Sequence, residues 1–385
     1  MRKYLIIILL LAVVFSAFAQ QKDYPANLTE KDRVMGAIMG VLIGDALGIG
    51  CHWWYDLTQF HADFGPWVSD YLDPIDKGTG DSTKSPYTWA HQRVIMGVKA
   101  GDVSQTGQFI IMLLESVAEK GTFDVSDFTR RVDEFFKTID GTSMGPKSGR
   151  YTDDAMRQTW ANRHKGISWD DPNVGANSIT SEAAQHSVIL AALYFKIPEK
   201  VFTQAYREIS LFYNNDFART QSVAYALNVA GFISALPIEE IKTYRSKVPR
   251  DVSSKVKLFS DSLNQIETGR SLAYGVDTRG TPLEAKISFE PPYLISQVYG
   301  AHCEIQQLLP AAYYLIHRYP DDFEMAVLSA VNGGGYNMAR AALTGGMSGA
   351  MNGLSGIPER FITGLKDHER LLKLAEKVAD IATRM

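Results

Sequence analysis

Carboxylates, an imidazole and glycine-rich turns are the groups through which this 385-residue chain could do chemistry. Asp45 stands inside the apolar, glycine-rich run Gly36 to Gly48, where a buried carboxylate must be paired or hydrogen-bonded. It is therefore expected beside a cleft. Asp153 and Asp154 are adjacent acids in Tyr151-Thr152-Asp153-Asp154, ahead of a helical stretch from Ala155 to Trp160. A helix dipole favours negative charge there, and the same pair could hold a cation. Asp102 either hangs over the cleft of Asp45 or caps the helix that follows it. His52-Trp53-Trp54-Tyr55 offers aromatic faces able to stack on a sugar or a base, and an imidazole that titrates near neutrality. The same four residues could equally be a helix end covered by core aromatics. The run Gly141 to Arg150, glycine-rich through Gly141, Gly145 and Gly149 and carrying the two basic residues Lys147 and Arg150, is chemically able to cradle a diphosphate, although it lacks the strand-loop-helix setting of a P-loop.

Helices must position these groups. Thr29 to Asp32 has the spacing of an N-cap with an acid at the third helical position, and Val34, Ile38, Val41, Leu42 and Ile43 then recur at helical intervals. The same rhythm predicts helices over Phe109 to Glu119, Ala183 to Phe195, Ala218 to Ile233, Val252 to Ile266, Ile305 to His317 and Leu371 to Ile381. Alternating patterns are scarce, and a small hairpin around Lys286 to Phe289 would leave the class all-α. Two helices carry glycine every fourth residue: Gly36, Gly40 and Gly44, and then Gly345, Gly349 and Gly353. Each series lines one helix face. Glycine costs a helix about 1 kcal/mol per position relative to alanine, so each face predicts close approach of another backbone. Two helices crossed in this way would bring the loops Gly48 to Tyr55 and Asn332 to Tyr336 into one cleft. No linker divides the chain, and the long polar stretches Pro66 to Tyr87 and Gly141 to Asn177 read as elaborated loops between helices.

Composition narrows the function class. The formal net charge is −4 with both signs scattered, which argues against a nucleic-acid partner, since such binding needs a basic face. Residues 1–19 read as a signal peptide: Arg2 and Lys3, an apolar run to Phe15, then Ala17-Phe18-Ala19 as the cleavage pattern. The apolar run falls short of the ~20 residues of a membrane-spanning helix. An exported chain, periplasmic or extracellular, with no membrane segment after cleavage is expected, with residues 20–385 as one helical domain. Cys51 and Cys303 are the only cysteines, too few and too far apart in sequence for a zinc site, and a disulfide between them is permitted by the compartment but not required.

Three strings carry a resemblance. Gly36 through Asp45 to Gly48 is similar to the opening motif of the ADP-ribosylglycohydrolase family; Asn332-Gly333-Gly334-Gly335 running to Gly353, then Ile357-Pro358-Glu359-Arg360, is similar to its closing motif; and Ser181-Glu182-Ala183-Ala184 resembles the small-residue turn before a central helix. The resemblance spans roughly Asp32 to Leu365. It implies a single orthogonal bundle of helices around a cleft that holds two magnesium ions, and hydrolysis of the glycosidic bond at the distal ribose of a side-chain-linked ADP-ribose. It also implies metal-binding acids in two strings, Thr-Asp-Asp-Thr-Gln and Asp-Thr-Asp-Thr. Those positions fall on Ser104 to Gln108 and on Tyr336 to Ala339, so Gln105, Thr106, Tyr336 and Met338 stand where acids are expected. Magnesium requires hard oxygen ligands, and a thioether is soft, so no metal cofactor is expected. Asn214 occupies roughly the place of a family histidine.

The expected site therefore combines a carboxylate pool of Asp45, Asp102, Asp153, Asp154 and Glu182 with substrate contacts from His52, Trp53, Trp54, Gly141, Gly145, Asn214, Gly334, Gly335 and Tyr336. Metal-free cleavage of an N- or O-glycosidic bond needs two carboxylates roughly 5–9.5 Å apart. The ligand implied is a small molecule or ADP-ribosyl-type group. The alternative is a non-catalytic binding or structural member of the same fold, as the J-type crystallins, which also resemble the family, illustrate.

Overall fold

The computed structural model describes residues 28–78, 85–143, 150–253 and 288–385. The expected signal peptide, Gly145 and most of the expected helix from Val252 to Ile266 lie outside the described residues. Helices follow one another: α1 (Glu30–Ile49), α2 (Leu57–Phe64), α3 (Pro86–Ile95), α4 (Gln105–Lys120), α5 (Val125–Phe136), α6 (Asp154–His164), α7 (Glu182–Tyr194), α8 (Pro198–Phe212), α9 (Asp216–Ile233), α10 (Ile305–Arg318), α11 (Phe323–Asn332), α12 (Asn337–Asn352) and α13 (His368–Arg384). Short helical turns fill several of the connections. The described residues form no sheet, only isolated bridges pairing Ala176 with Tyr213 and Thr180 with Glu304. Lys286 and Ile287 lie outside the described residues, and Ser288 and Phe289 form no strand. The class is all-α.

The central helices are buried all round. Every residue of α7 and α12 is buried, as is nearly all of α1 beyond Asp32, the pattern of helices at the centre of a large bundle. Outer helices are one-sided. In α5, Phe128, Val132 and Phe136 turn inward at helical spacing while Arg130 and Glu134 face water; in α13, Leu371, Ala375, Val378 and Ala382 do the same. Thr29 caps α1 by accepting from the Asp32 amide at 3.1 Å, as its spacing predicts.

The glycine series decide how α1 and α12 cross. A Cβ placed on Gly40 would lie 2.2 Å from the Gly345 carbonyl oxygen, one on Gly36 2.2 Å from that of Gly349, and one on Gly44 2.2 Å from that of Ala341. The reciprocal positions, Gly345 and Gly349, meet Gly40 and Gly36 oxygens at 2.1 and 2.0 Å. The two backbones are in contact, and only hydrogen fits between them. Gly48 continues the stripe onto Met338. The loop after α1 is thereby brought to the N-terminus of α12, as the spacing implied.

No described helix is long and apolar enough to cross a membrane.

Candidate functional site

The two end loops are laced together where the crossed helices deliver them. The Trp53 amide donates to the Gly335 carbonyl at 3.2 Å, and the His52 ring pairs through Nδ1 with Asn337 Oδ1 at 3.1 Å. Gly334 and Gly335 both sit near φ +60°, a region that L side chains rarely adopt, and a Cβ on Gly334 would lie 2.6 Å from the Trp54 carbonyl. Arg340, fully buried, ties the loop from below: its guanidinium donates to Ala330 and Gly334 carbonyls at 2.7–3.0 Å. Burial without a carboxylate pushes that guanidinium down to about 9.

Two acids meet behind this loop. Asp153 is the N-cap of α6, accepting from the Met156 amide at 2.9 Å, and Glu182 is the first residue of α7. They are 4% and 1% exposed. Glu182 accepts from the Tyr336 hydroxyl at 2.8 Å through one oxygen and from the Tyr213 hydroxyl at 3.1 Å through the other. Tyr213 reaches this place because the segment before α7 pairs with the end of α8, with Ala176 donating to the Phe212 carbonyl and Asn214 donating to that of Ala176, each at 2.8 Å. Burial, and next the charge on Glu182, push Asp153 up to about 7. Burial, and then Glu182, push the phenols of Tyr213 and Tyr336 well above their ordinary range, so both remain donors at neutral pH. A buried carboxyl held protonated toward neutrality beside a second carboxyl that two phenols address offers groups for acid-base chemistry.

A raised carboxyl has a stability consequence. The native state binds the Asp153 proton up to about pH 7, whereas an unfolded Asp releases it near 4. Its stabilising contribution is complete below the unfolded value and is lost as pH rises through the folded one. Asp153→Asn should therefore gain stability relative to the parent chain as pH rises from 5 to 8, by at most about 3 kcal/mol over that window. Melting temperatures of both chains across that range check it; an unchanged difference between them would remove Asp153 as the titrating group.

On the other side of Tyr336, which bonds Glu182, lies a narrow cavity whose lining includes His52, Arg93, Gln105, Thr106, Arg150, Tyr151, Tyr336 and Met338, with room for the centre of a water-sized sphere over about 10 Å³. Tyr151 also joins Trp53 and Trp89 in an aromatic cluster, with ring centroids 4.3 to 5.7 Å apart. Trp53 and Tyr151 both have φ near +90°, a strained conformation costing of order 1–3 kcal/mol each.

The structure brings together Asp153, Glu182, His52, Trp53 and Tyr336, but several other expected contacts lie elsewhere. Asp45 is fully buried and both its oxygens accept from Ser104, the N-cap of α4, at 2.6 Å; burial pushes it up to about 6. It positions the start of α4. Asp102 is bound by Arg150 at 3.0 Å, Lys366 at 2.9 Å and the Lys99 amide, which together hold it below the usual range although burial opposes them. Asp154 points to solvent and bonds Arg157 and Gln158 on its own helix. Trp54 is core: fully buried, its indole donates to Asp63 at 2.7 Å. Asn214 is displaced by its neighbour, since Tyr213 projects to Glu182 and Asn214 serves the backbone bridge. Gly141 turns at φ +71° against the Trp160 ring, a packing position rather than a cradle. Gly334 and Gly335 contribute backbone geometry. His52 is neutral, because burial and then Arg93 hold its imidazole well below its ordinary range. Cys51 and Cys303 are both unpaired thiols. Arg93 and Tyr213 were not anticipated; a lone arginine on a short helix and a tyrosine at a helix end carry no local signature of a site.

An all-α protein with a buried acid pair under a glycine-rich loop is the class that this fold and site define. The chain belongs to the ADP-ribosylglycohydrolase family, whose family model matches residues 26–384. A protein of unknown role from Archaeoglobus fulgidus is 25% identical over 361 residues, which cover 92% of this chain and 98% of that one. A solved structure described as an ADP-ribosylglycohydrolase-related protein complex superimposes with a TM-score of 0.60 at 19% identity, covering 92% of this chain and 99% of that one; this likeness establishes the fold.

Proposed function

We propose that this chain is an exported hydrolase of an N- or O-glycosidic bond in an ADP-ribosyl or related glycoside, working through Asp153 and Glu182 rather than through a dinuclear magnesium site. The observation that carries the reading is the buried pair itself, with a proton held on Asp153 and two phenols directed at Glu182. Export rests on the sequence pattern of residues 1–19.

The donor set of the cavity does not suit magnesium. Gln105, Thr106, Tyr336 and Met338 occupy the positions where the family resemblance places acids, and the same cavity is lined by two guanidinium groups that would repel a dication. No step is therefore routed through a metal. In the proposed reaction Asp153 gives its proton to the leaving atom as the bond to the anomeric carbon breaks. Glu182 stabilises the positive charge developing there and takes a proton from the water that adds to the carbon. Tyr336 and Tyr213 keep the Glu182 carboxylate oriented. The proton taken from water returns the pair to its starting state through solvent.

The narrowness of the cavity favours a second reading, a non-catalytic member that binds a ligand without turning it over. Turnover of a panel of ADP-ribosyl-linked side chains, measured with and without a chelator, separates the two. Cleavage that survives chelation is expected. Cleavage abolished by chelation would sink the metal-free mechanism, and no cleavage of any member would leave the binding reading.

A further inference from the structure

Arg93 is a buried cation without a counter-ion among the described residues. It projects from α3, is 3% exposed, and has no carboxylate within 4.0 Å among the described residues. Its one hydrogen bond is to the His52 carbonyl, at 3.2 Å. Arg340, also buried and also without an acid, makes three hydrogen bonds, two to the Ala330 carbonyl and one to that of Gly334, although its Nη1 has no partner among the described residues. One carbonyl does not account for Arg93. Removing a guanidinium from water costs several kcal/mol unless an anion or several acceptors replace the solvent. Burial duly pushes this group down to about 10.

Its surroundings complete a pattern of donors. Arg93, Arg150 and Tyr151 line two adjoining recesses, each with about 10 Å³ for the centre of a water-sized group, which suits an oxygen of an oxyanion. The Trp89 indole N–H, beside Arg93 in one recess, is buried without a partner among the described residues. Arg150 already donates through one terminal nitrogen to Asp102 and through the other to the Val103 carbonyl, so it contributes mainly charge; Asp102 is shared with Lys366, and the local balance stays positive. The other acid nearby, Asp45, has both oxygens occupied by Ser104 and is turned to the start of α4. Tyr336 joins the two places: its ring lines the recess and its hydroxyl donates to Glu182.

We propose that Arg93, assisted by Arg150, is an oxyanion subsite that takes a phosphate group of the substrate beside the Asp153 and Glu182 pair. Guanidinium forks suit phosphate oxygens, and here they stand where the family resemblance places metal ions. The assignment of the anion to a substrate rests on the hydrolase reading; the binding of an oxyanion does not.

The test uses the full chain and inorganic phosphate, titrated calorimetrically in chloride buffer at constant ionic strength, with acetate as a parallel probe. Phosphate is expected to bind and to raise the melting temperature. Arg93→Met is expected to weaken that binding by about 10- to 100-fold, the worth of hydrogen bonds to a charged group, while its melting temperature in chloride stays equal or rises, because an uncompensated buried charge has gone. Asp153→Asn should keep phosphate binding, so loss of the hydrolase reading leaves this result intact. The proposal is overturned if the parent chain shows no preference for phosphate over chloride, if Arg93→Met binds as well as the parent, or if acetate binds more tightly than phosphate. Should Arg93→Met not fold, Arg150→Gln takes its place, and undiminished phosphate binding by that variant has the same adverse meaning.

Discussion

Glu182→Gln is expected to lower turnover of an ADP-ribosyl glycoside by about 10²- to 10⁴-fold, the usual worth of a positioned acid or base. The substitution keeps the shape of the side chain and leaves an acceptor for one phenol. It removes the negative charge that both Tyr336 and Tyr213 address and that helps to keep the proton on Asp153. Two readouts should move together. The rate falls, and the pH at which the Asp153 carboxyl loses its proton moves down from about 7, because the neighbouring charge is the second cause of its shift after burial. Burial alone still holds it above the ordinary range. Tyr336→Phe, which deletes one donor and keeps the ring, should cost far less, on the order of tenfold. Steady-state rates and pH profiles of the three chains decide the matter. A Glu182→Gln chain with parental turnover would exclude the carboxylate pair as the reacting groups.

Gly40→Ala should destabilise the fold by about 1–3 kcal/mol or more, although alanine is the better helix former by about 1 kcal/mol. The new methyl would lie 2.2 Å from the Gly345 carbonyl oxygen and 2.9 Å from its carbon, and neither can rotate away because both are backbone. The crossing of α1 and α12 would have to open. Gly231→Ala is the control, since its methyl would meet Ile241 Cδ1 at 2.4 Å, the far end of a side chain that can change rotamer. There the propensity gain offsets the crowding, and a change near zero is expected. Urea unfolding midpoints of the two variants compare them directly; equal midpoints would show that the helix crossing tolerates side chains. Because α1 and α12 also deliver the His52 and Asn337 loops, a folded Gly40→Ala chain should lose activity as well.

Much of this was legible from residue spacing alone. The helical periods, the Thr29 cap, the glycine faces and the convergence of the two end loops follow from rules that act within a few residues or from the small size of glycine. The strings at Gly36 to Gly48 and Asn332 to Gly353 place the chain in its family for the same reason, being contiguous in sequence.

The tertiary structure decided which acids share the site. Asp153 and Glu182 open two different helices and influence each other only because α6 and α7 bring their N-termini close in the packed bundle, while Asp154, one residue on, lies on the solvent side of the same helix. Trp53 and Trp54 are divided in the same manner: φ of +89° at Trp53 turns the chain, leaving its ring against Trp89 and Tyr151 and sending Trp54 into the core. Tyr213 and Tyr336 reach Glu182 from residues far apart in the chain, and Arg93 is buried with no carboxylate within 4.0 Å among the described residues because of which helices pack around it. Local sequence sets helices through short-range sterics and hydrogen bonds. Charge pairing and burial depend on which helices meet, and that is a property of the whole packed bundle.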